Sequence, residues 1–188
     1  PVSFLQSRLN PPAHMRGTTI VFDLDGTLVD TAPDLVGATN HVLARCDIPP
    51  LPAARLTPWI SFGARRMIVE AAAMSRLELS ETEIDGQLEA FLDHYTQNIA
   101  LTSRPFPGVE RALDELAAAG ARLAVCTNKR EGMSRQLLDA LDLTRRFAAI
   151  AGRDTFPVCK PDPGHLTGTI ARAGGEIARA VMVGDSGV

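Results

Sequence analysis

Residues 19–30 read TIVFDLDGTLVD, a short apolar run followed by two aspartates and a Gly-Thr turn. Two similar runs occur later, LAVC at 123–126 and AVMV at 180–183, and each is also followed by polar residues. Uninterrupted apolar runs of this length are typical of strands buried on both faces, as in a parallel sheet covered by helices. The sequence therefore predicts three such strands, with FAAIA at 147–151 as a weaker fourth.

Helical patterns separate these runs. Val109, Leu113 and Leu116 recur at the spacing of one helix face, and Gly120 follows as the expected C-terminal cap. Further helices are predicted around 137–141 and over 163–173, the second of them starting at a proline. Strands that alternate with helices predict an α/β fold with a doubly wound parallel sheet.

The segment after residue 30 breaks this alternation. Between residues 33 and 104 there is no strand-like apolar run, and helical patterns cover 35–45, 64–77 and 82–100. Proline-rich stretches at 47–52 and 104–108 interrupt the chain. We predict a core made of residues 17–30 and 105–188, a helical insertion at 31–104, and a loose leader at 1–16.

Size and charge exclude several classes of protein. A chain of 188 residues allows one domain, or one domain with a smaller insertion. Its 19 basic and 22 acidic side chains give a net charge of -3, so no basic excess favours nucleic acid or an anionic membrane as a partner. No apolar run is long enough to cross a bilayer.

The three cysteines, Cys46, Cys126 and Cys159, are odd in number and lack the CxxC spacing of a zinc site. They therefore favour a reducing compartment, and we predict a cytoplasmic protein. Cys126 lies in the apolar run of a predicted strand, which indicates a small core residue rather than a reactive thiol.

Polar side chains follow the three predicted strands. Asp23 and Asp25 come after the first, Thr127 and Asn128 after the second, and Asp185 after the third. Because ligands of open α/β sheets bind beyond the carboxyl ends of the strands, we expect these side chains to meet at one place. Burying carboxylates there is costly unless a cation balances them. A hard divalent ion, above all Mg2+, would supply that charge.

Two further motifs have more than one interpretation. Thr127 and Asn128 offer a hydroxyl, an amide and main-chain N–H groups to a phosphate, or they close an ordinary turn. The chain has two lysines against 17 arginines, and Lys160 stands directly before Pro161. Lys160 is either a surface lysine or an ammonium that holds carboxylates and phosphate together. Asp162 is predicted to be a turn or helix-capping residue.

Four motifs occur in a distinctive order: DLDGTLVDTAPDL at 23–35, VCTNK at 125–129, KPDP at 160–163 and GDS at 184–186. This order resembles the haloacid dehalogenase-like superfamily of phosphotransferases, and within it most of all the bacterial phosphoglycolate phosphatases. The resemblance extends from about Thr18 to the end of the chain. It implies a Rossmann-like core with a helical cap inserted after the first motif, which agrees with the insertion predicted above.

The resemblance also implies roles for the first two aspartates. Asp23 would be the nucleophile that forms an aspartyl-phosphate. Asp25 would protonate the leaving alkoxide and then activate water. A halide leaves without a proton, so dehalogenases manage without a second acid, whereas an alkoxide needs one. The presence of Asp25 therefore favours phosphoester chemistry over dehalogenation.

The remaining motifs receive binding roles by the same resemblance. Thr127 and Asn128 would bind the phosphoryl group, Lys160 would steady the nucleophile and the phosphate, and Asp185 would hold Mg2+ together with Asp23 and the main-chain carbonyl of Asp25. The last motif resembles GDSxxD but stops at Val188, before its second acidic position. We therefore expect a fragment or an incomplete tail, with a weakened metal or lysine partner and one exposed sheet edge.

Substrate choice is expected to lie with the helical insertion. Arg65 and Arg66 follow Gly63 at a predicted helix start, and the GAR context of Arg65 resembles the phosphatases. We predict that Arg65 pairs with a substrate carboxylate, although both arginines are equally consistent with a solvated surface. The predicted function is Mg2+-dependent hydrolysis of a small phosphorylated carboxylic acid, 2-phosphoglycolate. A pyrophosphatase, a nucleotide phosphatase, a β-phosphoglucomutase-like enzyme and a truncated non-catalytic interaction module are the alternatives. The sequence does not indicate an oligomeric state.

Overall fold

The computed structural model describes residues 15–185. Most of the predicted leader, and the last three residues of the GDS-containing motif region, lie outside this range. Within it lie six strands: β1 (Thr19–Phe22), β2 (Val29–Asp30), β3 (Arg104–Pro105), β4 (Arg122–Cys126), β5 (Ala149–Ala151) and β6 (Ala180–Val183). The α-helices are α1 (Ala32–Ala44), α2 (Ala53–Leu56), α3 (Ala64–Met74), α4 (Glu81–Gln97), α5 (Val109–Ala118), α6 (Glu131–Ala140) and α7 (Pro163–Arg172).

The core is a four-stranded parallel sheet with the strand order β5-β4-β1-β6. Strand β1 lies in the middle, where Phe22 is in register with Val125 of β4 and with Val183 of β6. The predicted α/β fold with a parallel sheet is thus confirmed, and all four apolar runs form its strands. Because the strands are parallel, the polar residues that follow them lie along one edge of the sheet.

Helices cover both faces of the sheet. Ile20, Leu123 and Val125 point to the face that carries α5 and α6, while Val21 and Ala124 point to the face that carries α7. The prediction that all strands are buried on both faces is wrong for β6, because Val181 is 53% and Val183 39% exposed. This strand lies at the edge of the sheet, and the described residues do not cover those two side chains.

The helical insertion leaves and rejoins the core through a two-stranded antiparallel ribbon. Strand β2 pairs with β3, with Val29 opposite Pro105 and Asp30 opposite Arg104. These residues stand where we placed the domain boundaries, and the division into two domains stays a prediction. Helices α1, α3 and α4 pack against one another within the insertion. The sequence patterns missed α2 and the 3-10 turns that follow it at Thr57–Phe62.

No helix within residues 15–185 combines the length and the apolar character that a membrane crossing requires.

Asp34 fastens the start of the insertion to its end. The carboxylate of Asp34, near the start of α1, accepts hydrogen bonds from the main-chain N–H of Thr102 at 3.0 Å and of Ser103 at 2.8 Å. It also accepts hydrogen bonds from the hydroxyl groups of both residues. Burial opposes the charge on Asp34, but these donors outweigh it and hold the pKa of the carboxyl below its ordinary value of 3.8. The two ends of the insertion are therefore joined by one ionised carboxylate.

We expect Asp34→Ala to lower the free energy of unfolding near neutral pH by about 2–4 kcal/mol, because several donors lose a charged acceptor and Ser103 is buried. The folded-state pKa is depressed, so the contribution of Asp34 is complete above the ordinary pKa and is lost as pH falls through the folded value. Urea unfolding near neutral pH and at a series of pH values below 3.8 measures this. Asp93→Asn, at an exposed site on α4, is the control. An unchanged gap between wild type and Asp34→Ala at acid pH would contradict the electrostatic explanation.

Candidate active site

Asp23 and Lys160 form a buried ion pair at the carboxyl end of β1. The Nζ of Lys160 lies 2.6 Å from Oδ2 of Asp23, and the two side chains are only 9% and 11% exposed. Burial raises the pKa of Asp23, and Lys160 opposes that effect through its charge and its hydrogen bond. The other oxygen, Oδ1, accepts the main-chain N–H of Leu24 at 2.7 Å. These two contacts fix the orientation of the Asp23 carboxylate. Lys160 is a buried lysine and not a surface lysine.

A second buried ion pair joins Asp25 to Lys129. The Nζ of Lys129 donates to Oδ1 of Asp25 at 2.9 Å and to Oδ2 at 3.1 Å. Lys129 belongs to the VCTNK motif, but the sequence alone indicated no role for it. The available signal was lysine rarity, since each of the only two lysines in the chain pairs with one of the two aspartates of the first motif.

Thr127 and Asn128 follow β4 and line the same cavity as Asp23 and Asp25. The hydroxyl oxygen of Thr127 accepts the main-chain N–H of Lys129 at 3.2 Å, so its own proton is free to be donated. The side-chain Nδ2 of Asn128 donates to the carbonyl of Lys160 at 3.2 Å. The Asn128 amide therefore holds the Lys160 loop.

The loops after β4 and β5 are in close contact next to the cavity. A Cβ on Gly152 would lie 2.1 Å from the main-chain nitrogen of Glu131, so only glycine allows this close approach. The Nδ1 of His165 accepts the main-chain N–H of Lys160 at 3.1 Å, which leaves Nε2 to donate to the carbonyl of Gly152 at 3.0 Å. His165 thus has a positioning contact with the Lys160 loop. Asp162 caps α7 by accepting the N–H of Gly164 at 2.7 Å, as the sequence predicted.

Asp185 lies against the turn that follows Asp25. Its Oδ1 accepts the hydroxyl of Thr27 at 3.0 Å. Gly26 has a φ of +82°, a conformation that favours glycine, and a Cβ there would stand 2.6 Å from Oδ2 of Asp185. Asp185 and Asp25 line a second, adjoining cavity.

Two carboxylates and one main-chain carbonyl of the site could serve as Mg2+ ligands. Within residues 15–185, no group of three or more His, Cys, Asp or Glu side chains has the arrangement of a metal site. Both carboxylate oxygens of Asp25 are held by Lys129, which leaves its main-chain carbonyl as the ligand that the resemblance implied. Asp23 and Asp185 follow neighbouring strands and supply hard oxygen ligands. Because Mg2+ in phosphate sites is commonly held by one or two carboxylates, water and the substrate phosphate, these two carboxylates fit the ion.

Arg65 comes from the N-terminus of α3 and lines the same cavity from the side of the insertion. Its guanidinium forms ion pairs with Glu81 and Asp85 of α4, whose side chains are 84% and 64% exposed. Exposed pairs of this kind contribute little to stability and exchange readily. Arg66, by contrast, pairs with Glu70 on its own helix. The cavity is thus enclosed by strand ends of the core below and by α3 and α4 of the insertion above.

Comparison with known proteins agrees with this geometry. The family described as haloacid dehalogenase-like hydrolase matches residues 20–187. The chain is 53% identical to a phosphoglycolate phosphatase of Mesorhizobium japonicum, over 89% of this chain and 74% of that protein. It is 50% identical to a phosphoglycolate phosphatase of Agrobacterium fabrum, over 88% of this chain and 71% of that protein.

A solved structure shares the fold. The crystal structure of a predicted phosphoglycolate phosphatase from Haemophilus somnus superposes with a TM-score of 0.82 and 31% sequence identity, covering 89% of this chain and 76% of that one. The match of the family over almost the whole described range, and the identity with relatives over most of their length, establish the family. The chain belongs to the haloacid dehalogenase-like hydrolases.

Proposed function

We propose that this chain is a Mg2+-dependent phosphatase that hydrolyses a small phosphomonoester, 2-phosphoglycolate, through an aspartyl-phosphate on Asp23. The observation that carries the proposal is that Asp23, paired with Lys160 at a strand end, lines one cavity together with Thr127. A fixed carboxylate, a buried ammonium and a free hydroxyl donor are the groups that phosphoryl transfer requires. A cytoplasmic location remains part of this proposal.

The reaction proceeds in two steps on this chain's own residues. A carboxylate oxygen of Asp23 forms a bond to phosphorus, while the bond from phosphorus to the leaving oxygen breaks and Asp25, which enters this step as the protonated acid, gives that oxygen its proton. Water then attacks the phosphorus of the aspartyl-phosphate, the bond between phosphorus and the Asp23 oxygen breaks, and Asp25 takes a proton from that water and returns to its acid form. The products are inorganic phosphate and a regenerated Asp23. Two moderate barriers thus replace one large one.

Charge neutralisation is divided among several groups. Lys160, held against Asp23, offers its remaining ammonium protons to the phosphoryl oxygens. Thr127 donates its hydroxyl proton to another. When bound, Mg2+ would be held by Asp23, Asp185 and the Asp25 carbonyl and would neutralise charge on the phosphoryl group.

The similarity to proteins named phosphoglycolate phosphatase and the cationic side chains that line the cavity support this substrate class. 2-Phosphoglycolate carries a carboxylate close to its phosphate. Arg65 lies in the cavity lining, and only exposed carboxylates compete for its guanidinium. We propose that Arg65 exchanges one of these partners for the substrate carboxylate.

Turnover of 2-phosphoglycolate, compared with a phosphoester that lacks a carboxylate, such as p-nitrophenyl phosphate, tests both the function and this role. We expect Arg65→Ala to lower kcat/KM for 2-phosphoglycolate by about 10–100-fold and to change the value for p-nitrophenyl phosphate by less than about threefold. The physical reason is that only the first substrate has a carboxylate for the guanidinium to bind.

Arg66→Ala is the matched control, because Arg66 is the adjacent arginine of α3 and its guanidinium lies 5.3 Å from the centre of the Trp59 ring, outside the cavity lining. Equal losses for both substrates in Arg65→Ala would remove the carboxylate role. Wild-type protein that hydrolyses neither ester with Mg2+ present would contradict the proposed function itself.

A further inference from the structure

Lys129 occupies the boundary between the core and the helical insertion. Its Nζ donates to both carboxylate oxygens of Asp25, and the same atom lies 4.5 Å from the centre of the Tyr95 ring. Lys129 is 6% and Asp25 14% exposed in their side chains. Lys129 belongs to the loop after β4, whereas Tyr95 belongs to α4 of the insertion. One ammonium therefore contacts the acid of the core and an aromatic face of the insertion at once.

A buried ammonium is costly unless its partners compensate it. Burial disfavours the charge of Lys129, but the attraction of Asp25 outweighs this, and the pKa of Lys129 is raised above its ordinary value. The ring face of Tyr95 adds a favourable cation–π contact. Lys129 is therefore a permanent cation whose position is set by its two neighbours.

The geometry of the Asp25 contact restricts the carboxylate. Because both oxygens accept from the same ammonium, rotation of the carboxylate or of its side chain breaks at least one of the two bonds. Asp25 lines the cavity next to Asp23, so its position decides whether a proton can reach the leaving oxygen. An anchor on Asp25 consequently affects proton transfer and leaves attack by Asp23 in place.

Tyr95 contributes through its ring. The ring is 1% exposed and stacks on Phe91, at 6.2 Å between ring centres. Within residues 15–185 its buried hydroxyl has no hydrogen-bond partner. The aromatic face of Tyr95 is what contacts the Lys129 ammonium.

We propose that Lys129 is the positioning residue of Asp25, and that Tyr95 makes this positioning depend on contact between the helical insertion and the core. The inference rests on the proposed function, since it assigns Asp25 its acid role. Lys129 also lines the cavity, so a substrate-binding role is the alternative that the experiment separates from positioning.

A double-mutant cycle with two substrates tests the proposal. 2-Phosphoglycolate has an alkoxide leaving group that needs a proton, whereas the nitrophenolate of p-nitrophenyl phosphate leaves without one. We expect Lys129→Met to lower kcat/KM about 10–100-fold for the first substrate and less than about threefold for the second. In an Asp25→Asn background, Lys129→Met should cause no further loss with either substrate, because no acid remains to be positioned. Arg111→Met, which removes an exposed cation on α5, is the control for the loss of one positive charge.

The double-mutant cycle also separates a loss of stability from a loss of activity. Lys129→Met leaves the buried Asp25 carboxylate without its partner, so the single variant is expected to unfold at lower urea concentration than wild type. Asp25→Asn/Lys129→Met removes both charges and should recover most of that stability. Tyr95→Leu keeps both charges but removes the ring, and we expect the same selective loss with 2-phosphoglycolate at smaller amplitude, since Lys129 is then held by Asp25 alone.

The outcomes separate this inference from the proposed function. Equal losses for the two substrates, or an undiminished effect of Lys129→Met in the Asp25→Asn background, would show that Lys129 contacts the substrate and would overturn the positioning role. A Tyr95→Leu enzyme that loses nothing with either substrate would overturn the link to the insertion. Absence of phosphatase activity in wild type would instead reject the function on which the inference rests.

Discussion

Asp23→Asn is expected to abolish phosphoester hydrolysis, with a loss in kcat of at least about a thousandfold. An amide oxygen is a poor nucleophile and cannot form the aspartyl-phosphate, while the size and the position of the side chain are nearly unchanged. Because Lys160 would keep a hydrogen-bond acceptor, the cavity should retain its shape. The measurement is release of inorganic phosphate from 2-phosphoglycolate and from p-nitrophenyl phosphate, with Mg2+ present.

The control for this variant is Asp139→Asn, an exposed aspartate of the core that contributes nothing to the cavity. Circular dichroism and urea unfolding of both variants separate a loss of chemistry from a loss of fold. Turnover that persists in folded Asp23→Asn protein would reject Asp23 as the nucleophile. Retention of a phosphoryl group on acid-quenched wild-type protein, and none on the variant, would support the covalent step directly.

Removal of divalent cations with EDTA is expected to lower kcat by at least about a hundredfold, and added Mg2+ should restore it. The described side chains give the site two carboxylates, Asp23 and Asp185, and the phosphoryl group brings further negative charge. Lys160 supplies one compensating positive charge at Asp23, so the site keeps an excess of negative charge that a divalent cation would neutralise.

Asp185→Asn distinguishes a metal ligand from a structural residue. The amide keeps an oxygen that can accept the hydroxyl of Thr27, so the fold should be little affected. It removes one negative charge from the site, so half-maximal activity should require about tenfold or more additional Mg2+. An unchanged Mg2+ requirement in this variant would remove Asp185 from the site, and full activity in EDTA would contradict the metal dependence altogether.

Much of the core was predictable from local patterns. The apolar runs became β1, β4, β5 and β6, and the helices predicted in the core became α5, α6 and α7. Such runs can be recognised in the sequence because every side chain of a central strand is buried, so every position of the run is apolar. Strand β6 shows the limit, since its run is apolar while Val181 and Val183 are exposed at the sheet edge.

The insertion was harder to predict in detail. Its three main helices were expected at 35–45, 64–77 and 82–100 and lie at Ala32–Ala44, Ala64–Met74 and Glu81–Gln97. The short helix α2 and the 3-10 turns before Gly63 gave no periodic signal, because they span too few residues to repeat a face. The ribbon of β2 and β3 was not predicted from the sequence either, because each two-residue strand depends on a partner more than seventy positions away in the chain.

The candidate site divides in the same manner. Asp23, Asp25, Thr127, Lys160 and Asp185 were identifiable because each stands directly after an apolar strand or inside a motif. The contacts of the Lys129 ammonium could not be identified from the sequence. Lys129 is 104 positions away from Asp25 in the chain, and its other neighbour, Tyr95, belongs to the insertion. The same holds for Arg65, whose two carboxylate partners come from another helix.

Local order along the chain was therefore enough to predict the parallel α/β core, the helices that lie between β2 and β3, and the identity of the residues at the strand ends. Folding alone determined which lysine pairs with which aspartate, that the Asn128 amide holds the Lys160 loop, and which aromatic ring covers Lys129. The reason is physical: burial of an apolar run depends on the character of neighbouring residues, whereas the partner of a buried charge depends on three-dimensional distance between side chains that are far apart in the chain.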